Sequence, residues 1–505
     1  MEKMPPKELP YTTKSVCPEC LRVIEATVYE EDGKVMIKKT CEDHGEWKDT
    51  YWSSASEFNR AFQYAYKGIG LANPRTETVH GCPNDCGLCP NHKTHTNLAL
   101  IDLTNRCNLE CPICFAHAGK AGYIYEPTLE EIRGMLENLR ANKPVPAPAV
   151  QFAGGEPTMR ADLPEIIRMA KEIGFPHVEI ATNGLLLAQK GYPKKLVEAG
   201  LSTVYMQFDG VTKEPYIAAR GVNLLPQKLK ALERCREEGL HSIVLVPTLV
   251  RGVNDHQIGD IIRFAIENHD IVRCINFQPV AITGRIDTEK RKEMRITIPD
   301  LNRLADEQTD GQIKPSDWYP VPFVMPVARA LGALSGTPNV EFSEHPACGM
   351  ATFLVVEDDG SWAPITKYVE VEKFLGTLEK MAKDFEKGKQ WRGKMRGVMG
   401  AMRFFKKKGM LMNLANNLLI KKDYDALAKF MKRIIMLGSM HFMDPYNFDL
   451  ERVERCGIHY AIPDGRIVPF CAMNSFHRSK IEKKFAMPVE EWQKAHPGKK
   501  MNAPA

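Results

Sequence analysis

The densest chemistry in this chain is thiol chemistry. Fourteen cysteines occur in 505 residues, and nine of them fall at Cys17, Cys20, Cys41, Cys82, Cys86, Cys89, Cys107, Cys111 and Cys114. In a reducing compartment, thiols two or three residues apart have the spacing of metal or iron–sulfur ligands rather than of a disulfide framework. The sharpest group is DLTNRCNLECPICF, where Cys107, Cys111 and Cys114 stand in C-x3-C-x2-C spacing. Three thiolates hold three irons of a 4Fe-4S cube and leave the fourth iron open to an outside ligand. Upstream, HGCPNDCGLCPNH repeats that spacing with Cys82, Cys86 and Cys89. A second cluster is expected there, with His92, a distant cysteine or substrate as fourth ligand; a zinc knuckle is the alternative. Nearer the N-terminus, CPEC (Cys17, Cys20) and CEDHG (Cys41, His44) predict a tetrahedral site for one zinc or iron ion, which would stand in for the hydrophobic core so short a unit lacks. His44 is the donor most open to replacement. Cys274, Cys348, Cys456 and Cys471 are dispersed; they are candidate ligands of a further cluster, with buried packing as the alternative. Cys235, inside a charged helix, reads as packing.

These thiols need a scaffold, and the pattern of apolar runs supplies one. From about residue 97, short runs alternate with amphipathic stretches: 98–103, 149–154, 177–182, 203–209, 242–248 and 274–280 read as strands. Helical segments such as TLEEIRGMLENLRAN and LPEIIRMAKEIG lie between them. Successive parallel β-α units of this kind predict an α/β fold, a full or partial β/α barrel. Functional residues should then collect at the C-terminal ends of the strands. They do: Gly154-Gly155-Glu156, Asn183, Gln207, Asp209, Asn276 and Gln278 follow or end predicted strands. Two later stretches, 347–365 and 455–471, share a Cys-Gly, strand, Asp-Gly, strand pattern and read as cysteine-anchored hairpins. The expected organisation is therefore a Cys/His knuckle over 1–75, a cluster segment over 76–96, a barrel over 97–335 and a C-terminal domain over 336–505.

The cysteine triad after the first strand, Phe115 after its last cysteine, and Gly-Gly-Glu-Pro (154–157) after the second strand together resemble the radical SAM superfamily over about residues 98–285. The resemblance implies a partial (β/α)6 barrel with an N-terminal Cys-rich segment and a C-terminal auxiliary-cluster and helical extension. It also implies that S-adenosylmethionine (SAM) chelates the unique iron and yields a 5′-deoxyadenosyl radical. By similarity, Gly154, Gly155 and Glu156 would bind its amino group, Asn183 and Gln207 would lie near its carboxylate or ribose, and Phe115, Val250 and Gly252 would touch adenine.

The order of motifs along nearly the whole chain resembles archaeal tetraether lipid synthase. That resemblance implies hydrogen abstraction from terminal methyl carbons of isoprenoid chains and their coupling by a carbon–carbon bond. A pterin or other small-molecule methyltransferase is the competing reading. Composition favours the lipid: residues 371–440, read as a basic, Met-rich helical insert, carry 17 Lys and Arg against 6 Asp and Glu, with 9 of the 23 methionines, as suits a surface meeting anionic head groups. The expected partners are an archaeal phospholipid, a membrane surface and an external electron donor such as ferredoxin, with nucleic acid disfavoured. With 44% hydrophobic residues, no long apolar run and a charged, proline-bearing start, the protein is expected in the cytoplasm, at most peripheral to a membrane.

Overall fold

The computed structural model describes residues 2–404 and 433–497. The chain opens with an antiparallel sheet of β1 (Tyr11–Val16), β2 (Val23–Glu31), β3 (Lys34–Cys41) and β4 (Gly45–Trp52), paired in sequence order. Asp32 and Gly33 close the β2–β3 hairpin with φ of 51° and 72°, the two positive values a type I′ turn demands. Alternation on β3 buries Val35 and Ile37 and exposes Lys34 and Lys38. Helix α1 (Ala55–Phe62), capped by Ser54, packs Phe58 edge-on against Tyr51 and Trp52. This corrects one expectation: the unit has an apolar core of its own, which the metal supplements rather than replaces.

The barrel strands appear where their apolar runs predict them. They are β5 (Leu98–Thr104), β6 (Ala149–Gly154), β7 (His177–Thr182), β8 (Thr203–Gln207), β9 (Ile243–Val246) and β10 (Val272–Pro279), all parallel to their neighbours and laid side by side in chain order. Between them run α2 (Leu129–Arg140), α3 (Leu163–Glu172), α4 (Tyr192–Glu198), α5 (Glu214–Arg220), α6 (Leu225–Glu237) and α7 (Ile258–Glu267). Thr128 and Glu131 form a capping box on α2, and Ile132, Met135, Leu136 and Leu139 make its buried stripe. Cys235 is fully buried within α6 as packing.

The C-terminal third does not stand apart from this sheet; it extends both edges. After α8 (Ile298–Gln308) and α9 (Met325–Ser335) come β11 (Gly349–Val356) and β12 (Trp362–Pro364), the first predicted hairpin. Then α10 (Val371–Glu386) and α11 (Gln390–Phe404) lead toward β13 (Ile434–Met440), which pairs parallel with β10 and antiparallel with β11. The second hairpin, β14 (Ile458–Ala461) and β15 (Ile467–Pro469), adds β14 parallel to β5. Helix α12 (Arg478–Phe485) follows, and its Arg478 reaches Asp102 on β5. The expectation of a wholly helical 371–440 is corrected by β13. Most of the Met-rich phrase that begins at Gly397 lies outside the described residues. Within them Met381 and Phe385 of α10 pack on Ala330 of α9, so part of the methionine content is core.

Candidate active site and metal sites

The loop leaving β5 carries Cys107, Cys111 and Cys114 to the mouth of a cavity of about 1190 Å³ at the C-terminal ends of the strands. Their positions are fixed by other parts of the chain. Arg220 at the end of α5 donates to the Ile113 carbonyl at 3.0 Å, to Thr248 at 2.9 Å, and bidentately to Asp209 at 2.7 and 2.8 Å. Arg285 donates to the Cys111 carbonyl at 2.6 Å, and its backbone exchanges two hydrogen bonds with Cys114. Gly284 lets the strands approach: a Cβ there would stand 2.4 Å from the Phe115 carbonyl. Burial pushes the Cys107 thiol up. Phe115 lies on the cavity wall with its ring 5.9 Å from that of Phe470.

Gly154 and Gly155 make the floor beside this loop. Gly154 has a φ of 123°, and a Cβ on it would stand 2.2 Å from the Thr104 carbonyl; one on Gly155 would stand 2.2 Å from that of Arg106. The pair lets the end of β6 lie flat against the residues that precede Cys107, with backbone N–H groups of Gly155 and Glu156 donating to Thr104 and Arg106. Both glycines line the cavity; Glu156 does not. Its fully buried carboxylate accepts from Thr158, Thr182 and the backbone N–H of Asn183 at 2.7 Å. Held by these donors, the Glu156 side chain, expected at the cofactor's amino group, shapes the turns after β6 and β7. Asn183 and Gln207 do line the cavity. Val250 and Gly252, expected near adenine, are not among the lining residues. Val250 packs on Val280 and Ile282, and Gly252 sits in a left-handed turn held by Asp255. The wall there is made by Val246 and Thr248 instead.

The N-terminal quartet comes together. Ligand atoms of Cys17, Cys20, Cys41 and His44 all lie within 4.8 Å of one another, with the Cys20 and Cys41 sulfurs 3.9 Å apart. A tetrahedron with Zn–S bonds of about 2.3 Å separates its sulfurs by about 3.8 Å, so the quartet fits a single ion. The hydrogen bond with His44 Nδ1 is the main cause that lowers the Cys41 thiol to about 6. Among the described residues no other trio of cysteines contracts to such distances.

The other cysteines sort into neighbourhoods. Cys86 is held well above its usual thiol range first by its hydrogen bond with Cys82 and then by burial, with repulsion from Cys89 and Cys456 adding to it. His92, expected as a fourth ligand, is turned away: its Nε2 lies 2.8 Å from the Cys456 carbonyl and 3.1 Å from His459. Burial pushes this imidazole down to about 4, so it is neutral. Cys456 is half-buried and feels Cys471 and Cys348, and the buried Arg452 acts on both of those thiols. Cys274 stands apart, on the cavity wall of β10 beside Glu179 and Tyr205. That corrects its grouping with the C-terminal thiols.

A row of polar side chains crosses the cavity wall there. Gln151 of β6 donates to Glu179 of β7 at 2.6 Å, while Gln278 and Asn276 of β10 donate to the Tyr205 hydroxyl of β8. The Asn276 Oδ1 is buried with no partner among the described residues.

The sequence profile of the radical SAM superfamily matches residues 101–265, and that of the HMPTM N-terminal zinc ribbon domain matches residues 9–53. A 7,8-dihydro-6-hydroxymethylpterin dimethyltransferase from Methanocaldococcus jannaschii is 50% identical over 494 residues, covering 96% of this chain and 97% of its own length. The chain belongs to the radical SAM superfamily, in the family of this relative. An Fe-coproporphyrin III synthase from Methanosarcina barkeri is 38% identical over 178 residues, covering 34% of this chain and 42% of its own. Streptococcus suis SuiB, in a crystal structure with its precursor peptide SuiA, is 18% identical with a TM-score of 0.35, covering 44% of this chain and 47% of that one.

This radical SAM enzyme uses SAM and a 4Fe-4S cluster, and it carries a Cys-rich zinc ribbon site. The expectation of lipid coupling is overturned by the pterin dimethyltransferase, which matches over nearly the whole length of both chains, and neither a phospholipid substrate nor a membrane-surface partner finds support in it. These expectations rested on the order of motifs and on the composition of 371–440, and neither defines a substrate; the site does. Part of that segment is core packing, and Met436 and Met440 of β13 line the cavity rather than an outer surface. No helix among the described residues is long and apolar enough to cross a membrane.

Proposed function

We propose that this radical SAM enzyme methylates a reduced pterin of the 7,8-dihydro-6-hydroxymethyl type. The carrying observation is the 50% identity with the pterin dimethyltransferase over nearly the full length of both chains. The zinc ribbon profile over residues 9–53 supports the same family. In this reading Cys107, Cys111 and Cys114 hold the cluster, and SAM sits over Gly154, Gly155, Asn183 and Gln207. When bound, these groups supply a carbon radical that removes hydrogen from an unactivated C–H bond. The chain's part is placement and exclusion of water. Arg220 and Arg285 keep the cysteine loop seated. The row of Gln151, Glu179, Tyr205, Asn276 and Gln278 supplies what a flat heterocycle with an amide–amidine edge needs: a carboxylate facing paired N–H donors, and carboxamides for the remaining ring atoms. A cavity of about 1190 Å³ has room for cofactor and pterin together.

Cys82, Cys86 and Cys89 form a second iron–sulfur site in this account, and Cys348, Cys456 and Cys471 a further one. Electrons arrive from a low-potential carrier of the ferredoxin kind. The test is anaerobic incubation of reconstituted enzyme with SAM, reductant, a cell extract supplying one-carbon donors, and the dihydropterin, followed by mass analysis. Methyl mass on the pterin is expected, together with 5′-deoxyadenosine. Glu179→Gln is expected to weaken pterin binding about tenfold or more, as loss of a charged hydrogen-bond partner does, while SAM cleavage without pterin persists. An unaltered pterin recovered alongside abundant 5′-deoxyadenosine would overturn the assignment.

A further inference from the structure

Behind the wall formed by Asn183 and Gln207, helix α6 buries a lysine. Lys228 has no exposed surface, and its amine donates to Gln207 Oε1 at 2.7 Å and to the main-chain carbonyl of Asn183. Lysines are almost never fully buried unless paired, yet the partners here are neutral oxygens, and among the described ion pairs Lys228 has none. The charged groups that face it are Asp209 after β8, Arg220 of α5, Glu156 after β6 and Cys111 on the cysteine loop. Asp209 is already clasped by both arms of Arg220, and Glu156 is already hydrogen-bonded to Thr158, Thr182 and Asn183. A positive charge is thus held behind the wall without a carboxylate of its own. Burial brings the amine down to about 7, so it changes protonation near neutrality.

We propose that Lys228 is a positioning residue for SAM: its ammonium fixes the Asn183 carbonyl and the Gln207 carboxamide, and it places behind them the positive charge that complements the carboxylate of the cofactor. Three features carry this. The two oxygens that Lys228 holds belong to Asn183 and Gln207, polar residues that line the cavity at the ends of β7 and β8. The remaining Gln207 amide donates to Asp209, which links the lysine through Arg220 to the Ile113 carbonyl of the cysteine loop. Finally, a buried cation in a water-poor site acts on a nearby anion far more strongly than one in solvent. The inference rests on SAM use by the superfamily and not on the pterin, so it stands or falls separately.

The test uses the reconstituted full-length holoenzyme and dithionite-driven formation of 5′-deoxyadenosine. Lys228→Met keeps length and removes the donors. Its KM for SAM should rise about tenfold or more, the loss expected for a charge-assisted hydrogen bond, with kcat within a few-fold and iron content unchanged. In wild type the KM should climb as pH is raised through about 7 and the amine loses its proton, whereas the variant's KM should be flat across that range. Gln207→Met combined with Lys228→Met should be no worse than Lys228→Met alone, because both remove one connected element. An unchanged KM, or a fall in kcat at constant KM, overturns the proposal. If Lys228→Met does not fold, Gln207→Met alone must still raise the KM, and its failure to do so is equally decisive.

Discussion

Replacing Gly155 by alanine should separate the seat of the cysteine loop from the rest of the fold. The added Cβ would lie 2.2 Å from the Arg106 carbonyl oxygen, 2.8 Å from its carbon and 2.9 Å from the Asn105 carbon, all backbone atoms that cannot swing aside. Side-chain carbons do not come within 3.0 Å of such neighbours, so the segment leading into Cys107 must retreat by about 0.8 Å. Overpacking of this kind destabilises by roughly 1–3 kcal/mol, which a domain of this size survives. Activity is more exposed: a misplacement near 1 Å costs about 100-fold, or about 2.7 kcal/mol of transition-state stabilisation. Reductive SAM cleavage, assayed as 5′-deoxyadenosine under saturating dithionite, is therefore expected to fall about 100-fold in Gly155→Ala with a cooperative thermal transition retained. Gly252→Ala is the control. Gly252 has a φ of 75° and nothing within 4 Å of a new Cβ, so it should lose about 1 kcal/mol of stability and little activity. Cleavage within threefold of wild type in Gly155→Ala would refute the claim that this close approach seats the loop.

His44→Ala should release the metal of the zinc ribbon, seen as loss of close to one equivalent in elemental analysis together with a lower Tm; full retention would mean a different fourth donor. Glu344, buried with one oxygen unpartnered among the described residues, has its carboxyl raised to about 7 by burial. A carboxyl raised on folding is protonated in the native state and ionised in the unfolded state between its two values, so stability should fall as pH climbs from about 4.5 to about 7, by on the order of 3 kcal/mol. Glu344→Gln should flatten that slope in urea titrations, and an unchanged slope would count against the burial argument.

The six central strands were legible because each is a short apolar run bounded by turn residues, and the cysteine triad with Phe115 and Gly-Gly-Glu-Pro carried the resemblance that implied radical chemistry. What could not be read was pairing across the chain. Nothing in IIMLGSM says that it will lie beside β10, and its lysine-rich surroundings argued for a helix instead. Arg220, Arg285 and Lys228 carried no signal either, since each is one cation among many and matters through partners on other elements, such as Ile113, Cys111 and Gln207. Val250 and Gly252 were expected at the cofactor by analogy, and the structure places Val250 against Val280 and Ile282 and Gly252 in a turn held by Asp255. His92 had the right spacing, but its ring is spent on Cys456 and His459. Substrate class failed most instructively. A basic, Met-rich window is a property of a segment, while the polar row from Gln151 to Gln278 is assembled by four strands and emerges only when they lie side by side.

The account turns on three thiols presenting an iron with an open coordination position to the cavity. Electron–nuclear double resonance on the reduced, anaerobically reconstituted enzyme, with SAM labelled at its amino nitrogen and carboxylate, measures this directly. Coupling of both labels to the cluster is predicted, and its disappearance in Cys111→Ala. A cluster spectrum indifferent to labelled SAM, with the fourth iron held by a protein side chain, would contradict it.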